Sequence, residues 1–215
     1  MKNIYCEQFD NISTGRPYMI YPNVFNDNRG TFSEVLKNDN LKDIKQINRS
    51  TSCKMTFRGF HAQKAPFCQS KLVEALNHPI YDIIIDARPD SRSFGLIDAF
   101  LLDPIKQNKL YVPRGFLHSF FVPWHSNDDN ATFMYYCDNL YDHGSEICIN
   151  PLSVFNELKK HQDFNNEDDL SKFSKFIEDE SQIVLSDKDL KGTDYLKFMK
   201  SIKNDFDAMQ KLWYK

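Results

Sequence analysis

The sequence predicts a mainly β protein, a sandwich or jelly roll followed by helices, on three observations. Aromatic residues make up 14% of the 215 residues and glycine occurs only 7 times, a composition typical of sheets lined by aromatic side chains. From residue 17 to about 150, short strand-like segments alternate with turn sequences at the spacing of β-sandwiches. After Pro151, charged residues mixed with Phe and Leu predict helices.

The composition also excludes several classes of protein. Hydrophobic residues make up 41% of the chain, which is enough for a core and excludes intrinsic disorder. A net charge of -3 provides no basic field for nucleic acid. The apolar stretches around 83–85 and 120–122 are too short to span a bilayer, and residues 1–3 open no signal-like segment. We therefore expect a soluble, cytoplasmic protein that binds neither nucleic acid nor membrane.

The clearest strand covers residues 80–88, where alternation places Tyr81, Ile83, Ile85 and Ala87 on one face. The opposite face carries Asp82 and Asp86, so we expect one core face and one wetter face. Further strands are predicted at 71–76, 96–102, 109–113, 118–123 and 132–137.

The helical part is predicted at 155–160, at 170–176 and in the tail, where apolar residues recur at steps of three and four. That tail stripe packs against its own domain or forms a dimer seam, and the first alternative is favoured at this length. The apolar residues are Tyr195, Met199, Ile202, Phe206, Met209 and Trp213. We therefore predict a catalytic domain over 1–150 and, over 151–215, a helical extension packed on it.

The densest cluster of functional residue types lies at 58–63, where Arg58, His61 and Gln63 precede Lys71. A single strand histidine is more often structural than catalytic. Strict alternation places Arg58 and His61 on opposite faces, so both line one pocket only if Gly59 lies at a β-bulge or kink.

A second cluster at 113–120 presents His118 on a strand, with a structural role as the alternative. Arg29, beside the turn residue Gly30, has the planar fork that clamps phosphate, although a solvated turn is the simpler interpretation. Jelly rolls often hold metals through histidines, but here the histidines are isolated and we expect no metal. The cysteines are odd in number and form no C-x-x-C pair, so we expect free thiols at Cys6, Cys53, Cys68, Cys137 and Cys148.

In chain order, these motifs resemble the dTDP-4-dehydrorhamnose 3,5-epimerase family, which are metal-free, homodimeric cupin-type jelly rolls. The resemblance lies in the whole series rather than in any one motif. The matching segments are FNDNRGTFSE (25–34), QINRS (46–50), RGFHAQ (58–63), QSKLV (69–73), YDIIIDAR (81–88), SRSFG (91–95), VPRGFLHSF (112–120), YYC (135–137) and DKD (187–189).

The resemblance implies roles for the site residues. His61 is expected as the general base, Asp189 as the carboxylate that orients it, Lys71 as the cation at the keto oxygen and Tyr135 as the general acid. The nucleotide diphosphate is expected to contact Arg29, Arg58 and His118, with polar contacts from Glu34, Gln46 and Asn48. In the family, the segment carrying Arg29 and Glu34 reaches across the dimer, and no cofactor is implied.

The implied reaction is inversion of C3 and C5 of dTDP-4-dehydro-6-deoxy-D-glucose to dTDP-4-dehydro-L-rhamnose, an isomerase step in dTDP-rhamnose and polysaccharide biosynthesis. Proton abstraction occurs next to the 4-keto group, which acidifies both positions. Alternatives are inversion at C3 alone, another nucleotide-linked 4-keto sugar such as a heptose, a non-catalytic sugar-nucleotide-binding cupin, or a metal-dependent oxygenase. Two departures from the family are Ala62, where an aromatic residue is common, and an insertion at 155–181 that must loop out for Asp189 to reach His61.

Overall fold

The computed structural model describes residues 2–6, 15–36, 43–124, 130–161, 168–203 and 212–213. The strands are β1 (Lys2–Tyr5), β2 (Tyr18–Tyr21), β3 (Val24–Asp27), β4 (Gly30–Ser33), β5 (Gln46–Ser52), β6 (Phe57–Gln63), β7 (Lys71–Ala75), β8 (Ile80–Asp86), β9 (Ile97–Leu102), β10 (Lys109–Val112), β11 (Phe116–Phe121), β12 (Ala131–Cys137) and β13 (Glu146–Cys148). The α-helices are α1 (Pro151–His161), α2 (Asp169–Phe176), α3 (Asp187–Leu190) and α4 (Tyr195–Lys203).

Two antiparallel sheets form the sandwich. The larger has the strand order β1-β2-β10-β7-β12-β5 and the smaller has the order β13-β6-β11-β8-β9. Strands β3 and β4 pair with each other as a separate hairpin and, in the described ranges, with no other strand. The predicted mainly β class is confirmed, and each of the predicted strands is present with ends shifted by no more than two residues.

The core between the sheets is apolar, with a polar pair inside it. Ile80 and Ile84 of β8 pack there against Val73 and Phe133 of the larger sheet. Asp82 is on the same face and is fully buried, bonded to a histidine of β11. Strand β8 therefore alternates as predicted, but the expectation of one wetter face is wrong because both faces are covered.

The other face of the smaller sheet is covered by the helices. Phe155 of α1 and Phe173 of α2 pack on Phe57, with ring centroids 5.1 and 6.2 Å away, and Phe173 also contacts Phe121 at 5.7 Å. Phe176 lies 6.0 Å from the ring of Tyr81. The inserted segment is thus part of the same hydrophobic cluster as the sheet.

The C-terminal part of the chain returns to the sandwich in two places. Val184 forms a parallel bridge with Thr56 at the start of β6, and this contact brings α3 beside that strand. The indole N–H of Trp213 donates to the Ala87 carbonyl at 3.0 Å. Of the predicted apolar stripe, Tyr195, Met199, Ile202 and Trp213 are buried against their own chain, while Phe206 and Met209 lie outside the described residues.

One further expectation is met. All the cysteines are free thiols. Among the described residues, no helix is long and apolar enough to cross a membrane.

Candidate active site

A β-bulge in β6 brings the predicted functional residues onto one face. His61 pairs with His118 of β11 and Arg58 pairs with Phe120, so two residues of β6 lie opposite one of β11. Gly59 has φ +120°, and a Cβ there would lie 2.5 Å from the Ser119 Cβ. Only glycine fits this position, and its bulge lets Arg58 and His61 share the inner face.

His61 and Asp189 form a hydrogen-bonded pair although 128 positions separate them. The distance from His61 Nε2 to Asp189 Oδ1 is 2.7 Å. Helix α3 holds the carboxylate, since its N-cap Ser186 accepts a hydrogen bond from the Asp189 amide at 3.1 Å. Burial raises the pKa of Asp189. The hydrogen bond and the charge of His61, together with the hydrogen bond to Ser186, have a larger opposite effect, so the pKa is lowered overall.

A cleft of about 280 Å³ lies at this end of the sandwich, between the two sheets. His61 comes from the smaller sheet, while Lys71 and Tyr135 come from the larger. Within the described part of the chain, neither the Lys71 ammonium nor the Tyr135 hydroxyl has a hydrogen-bond or ion-pair partner. The complete lining is Gln46, Asn48, His61, Ala62, Gln63, Gln69, Lys71, Tyr135, Tyr141 and Glu146.

Burial shifts the pKa of both groups contributed by the larger sheet. It lowers the pKa of Lys71, although the nearby Cys137, Asp82 and Glu146 oppose the change. Burial also raises the pKa of Tyr135, which keeps its phenol protonated at neutral pH. The cleft therefore places an amine and a phenolic proton donor across from the imidazole.

His118 lies deeper, next to the cleft. Its Nε2 is 2.8 Å from Asp82 Oδ2, and the two side chains are almost entirely buried. Burial lowers the pKa of His118 and raises that of Asp82, so both shifts favour the neutral forms. His118 lines a small pocket together with Lys71.

The other predicted ligand-binding residues divide into two groups. Gln46 and Asn48 line the cleft and are bonded to each other at 2.8 Å. Arg58 lies near Tyr135, where its charge partly offsets the rise that burial causes in the Tyr135 pKa. Arg58 Nε donates a hydrogen bond to Ser52 Oγ at 3.0 Å. Arg29 and Glu34 do not line the cleft: Arg29 is in the β3–β4 hairpin, paired with Asp27, and Glu34 follows that hairpin.

The structure adds cleft residues that sequence reasoning missed. Glu146 Oε1 lies 4.0 Å from His61 Nδ1, and Glu146 is bonded to Lys188 Nζ at 2.6 Å and to the Tyr141 hydroxyl at 3.0 Å. Burial raises the pKa of Glu146, but the bonds to Lys188 and Tyr141 and the His61 charge lower it overall. Gln63 was signalled by its alternation with His61, whereas nothing in the sequence marks Tyr141 or Glu146.

The comparisons with known proteins agree with this geometry. The family model for dTDP-4-dehydrorhamnose 3,5-epimerase matches residues 15–195. The chain belongs to this family. A dTDP-4-dehydrorhamnose 3,5-epimerase of Escherichia coli (strain K12) is 35% identical over 141 residues, which cover 61% of this chain and 74% of that relative.

Solved structures of family members have the same fold. The dTDP-4-dehydrorhamnose 3,5-epimerase of Elizabethkingia anophelis is 29% identical with a TM-score of 0.68, covering 88% of this chain and 96% of the other. An epimerase of Legionella pneumophila, solved in complex with dTDP-4-keto-L-rhamnose, is 26% identical with a TM-score of 0.67. That match covers 96% of this chain and 98% of the other. The predicted family and the cupin-type jelly roll are therefore confirmed.

Proposed function

We propose that this protein inverts C3 and C5 of dTDP-4-dehydro-6-deoxy-D-glucose to give dTDP-4-dehydro-L-rhamnose. The observation that carries the proposal is the cleft itself, where His61 of the smaller sheet, paired with Asp189 of α3, faces Lys71 and Tyr135 of the larger sheet. Relatives that are named dTDP-4-dehydrorhamnose 3,5-epimerase support the same substrate class. The enzyme is an isomerase that works by proton transfer.

His61 acts as the base through Nδ1, because Nε2 is engaged by Asp189 at 2.7 Å. In the neutral imidazole the proton is on Nε2, which donates to the carboxylate, and the Nδ1 lone pair remains for the substrate. Asp189 also stabilises the imidazolium that forms when Nδ1 accepts the proton. The proton leaves C3 or C5, the two carbons that the 4-keto group acidifies.

Lys71 stabilises the enolate that this step creates. Removing a proton beside the carbonyl transfers the electron pair towards the C4 oxygen, where a buried ammonium is far more effective than in water. Tyr135 then donates its phenolic proton to the opposite face of the carbon, which inverts the centre. The raised pKa of Tyr135 agrees with this role, since an acid has to be protonated before it acts.

The nucleotide part of the substrate binds at the residues that line and flank this cleft. Arg58 provides a guanidinium for the diphosphate, and Gln46 and Asn48 provide amide contacts. His118 was expected at the diphosphate, but its burial beside Lys71 favours a contact with the sugar. We propose that Lys188 and Tyr141, linked through Glu146, complete the polar wall.

We further propose that the enzyme is a homodimer in which Arg29 and Glu34 serve the site of the other copy. Among the described residues, the hairpin that carries Arg29 pairs with neither sheet, and its Phe25 and Phe32 are 60% and 67% exposed. A second copy that covers these rings would bring Arg29 to a cleft that lacks it in its own chain.

The chain divides at residue 150 into a catalytic jelly roll and a helical extension that packs on it, and the enzyme is cytoplasmic. The free thiols agree with a reducing compartment. Because the apolar residues of the helices share a cluster with those of the smaller sheet, the extension stabilises the catalytic fold instead of forming a separate unit.

Solvent exchange tests the reaction directly. The purified protein is incubated in D2O with dTDP-4-dehydro-6-deoxy-D-glucose, and deuterium at C3 and C5 is followed by NMR. We expect deuterium at both carbons, loss of exchange in His61→Ala, and no change in His143→Ala, which removes an exposed histidine outside the cleft. Deuterium at C3 alone would identify a single epimerase, and no exchange would indicate another sugar nucleotide or a non-catalytic binding protein.

A further inference from the structure

Cys148 lies directly behind the catalytic pair. It is in register with His61 in the β13–β6 ladder, and its Sγ is 3.6 Å from Asp189 Oδ1. This is the same carboxylate oxygen that His61 Nε2 contacts at 2.7 Å. The imidazole nitrogen, the thiol sulfur and the carboxylate oxygen all lie within 4.8 Å of one another. None of the proposed steps of the reaction uses the thiol.

These three atoms are a donor set suited to zinc. Zn²⁺ takes nitrogen, sulfur and oxygen ligands at about 2.0–2.3 Å in tetrahedral geometry, which separates neighbouring ligand atoms by roughly 3.3–3.7 Å. The Sγ–Oδ1 distance of 3.6 Å already fits that geometry. The Nε2–Oδ1 distance of 2.7 Å has to lengthen, as the metal replaces the hydrogen between the two atoms.

We propose that His61 Nε2, Cys148 Sγ and Asp189 Oδ1 form an inhibitory Zn²⁺ site, with water as the fourth ligand. Metal binding itself stands on this geometry, whereas the inhibition rests on the proposed epimerase function. Cys148 is partly exposed, so an ion can reach the site from solvent. The carboxylate of Asp189 supplies negative charge at the site.

Inhibition follows from the tautomer of His61. Zinc binding releases one proton, from the Cys148 thiol, and forms the thiolate–metal bond. The metal also takes the Nε2 position, so the proton of the neutral imidazole moves to Nδ1. Nδ1 is the nitrogen that the proposed mechanism uses as a base. A protonated Nδ1 has no lone pair to accept a proton from the sugar, and catalysis stops.

Two measurements on the purified full-length protein test the site, and the first needs no activity. Co²⁺ replaces zinc as a probe, and a thiolate-to-Co²⁺ charge-transfer band in the near ultraviolet reports a cysteine ligand. The band and its loss on adding Zn²⁺ are expected for the natural sequence. In the second, Zn²⁺ inhibits deuterium exchange into the sugar, and a chelator restores it.

The variants are Cys148→Ser and a control, Cys53→Ser, which removes an exposed thiol on another part of the chain. Cys148→Ser retains exchange without metal, lacks the cobalt band, and needs roughly tenfold or more Zn²⁺ for half inhibition. Cys53→Ser behaves like the natural sequence. A cobalt band that survives in Cys148→Ser, or equal zinc inhibition of both variants, would overturn the site. Cobalt binding through Cys148 in a protein that shows no exchange would support the metal site and refute the proposed function.

Discussion

At the scale of single residues, the site depends on how the carboxylates of Asp189 and Glu146 are placed at the two nitrogens of the His61 imidazole. Asp189 holds Nε2 at 2.7 Å, whereas Glu146 stays 4.0 Å from Nδ1. Glu146 is held there by Lys188 at 2.6 Å and by the hydroxyl of Tyr141. In the proposed mechanism, these bonds keep the second carboxylate away from Nδ1, the nitrogen that accepts a proton. In that proposal, Asp189 orients the base and Glu146 leaves Nδ1 open to the substrate.

Replacing Asp189 with Asn tests the first of these contacts. The amide keeps the size of the side chain but removes the charge that stabilises the imidazolium, so we expect kcat to fall by about 10²- to 10⁴-fold. The matched control is Asp187→Asn, an exposed acid on the same short helix, which should leave kcat unchanged. Steady-state kinetics measure both variants. Equal rates for Asp189→Asn and the natural protein would show that the pair is only structural.

Tyr135→Phe separates proton exchange from inversion. Without the phenol, His61 still removes a proton and returns a solvent-derived one to the same face, so exchange continues while inversion falls by roughly 10²-fold. NMR in D2O measures both on one sample. Tyr136→Phe is the control, because its hydroxyl is on the opposite face and bonds Glu74 at 2.7 Å. A Tyr135→Phe protein that inverts at the natural rate would remove the phenol from the mechanism.

At the scale of elements, the bulge in β6 decides whether the site forms. Gly59→Ala places a Cβ 2.5 Å from the Ser119 Cβ and 2.7 Å from the His118 carbonyl oxygen, at a φ of +120°. We expect a loss of about 3 kcal/mol in the free energy of unfolding, measured by urea denaturation. Gly144→Ala, whose added Cβ meets only a side chain at 3.4 Å, should change it by less than about 1 kcal/mol. Equal losses in the two variants would disprove the tight fit at Gly59.

The inserted helices are tested by removing the ring at their centre. Phe173 of α2 is completely buried and lies within 6.3 Å of the rings of Phe57, Tyr81 and Phe121. Phe173→Ala should lower the free energy of unfolding by about 3–5 kcal/mol in a single cooperative transition. Leu196→Ala, at a position 52% exposed, should cost less than about 1 kcal/mol. Separate transitions for the helices and the sheets would contradict the shared core.

The strands were predictable where side-chain alternation is strong, as in β8, whose two faces carry different residue types. The burial of both faces was not, because it depends on helices that are distant in sequence and on the His118 partner of Asp82. From the sequence, a bulge at Gly59 could be named only as a requirement for Arg58 and His61 to line one pocket. Its presence could not be predicted, because a register shift is a property of two paired strands. Local pattern determines the elements, and long-range pairing determines their registers.

The candidate site was predictable to a similar extent. His61, Lys71 and Tyr135 were found through the motif series, and the structure brings them to one cleft. Glu146 was missed because β13 is a short edge strand of three residues with no alternation to mark it, and Tyr141 was missed because it lies outside any strand or helix. The contact of Asp189 with His61 could not be predicted, because it depends on the path of the whole insertion. The bridge between Val184 and Thr56 shows where the chain returns to the sandwich after the insertion.

At the scale of the whole molecule, the β3–β4 hairpin pairs with neither sheet within the described part of the chain. Phe25 and Phe32 pack on each other, with ring centroids 6.3 Å apart, while both remain mostly exposed. Ser33 donates a hydrogen bond to Gln107, which anchors only the end of the hairpin. Exposed aromatic rings next to a predicted phosphate-binding arginine are best explained by a partner, and the proposed partner is a second copy.

Mixing two inactive variants distinguishes a shared site from a self-contained one. Arg29→Ala lacks the arginine offered to the partner, and His61→Ala lacks the base. In a dimer containing one copy of each, the Arg29→Ala chain keeps its own His61 and receives a natural Arg29 from its partner, which restores one site of the two. Random exchange of subunits should therefore recover about a quarter of the natural activity from two proteins that are each nearly inactive. If the site is complete within one chain, no pairing restores it, and mixing would leave the activity at the level of the separate variants.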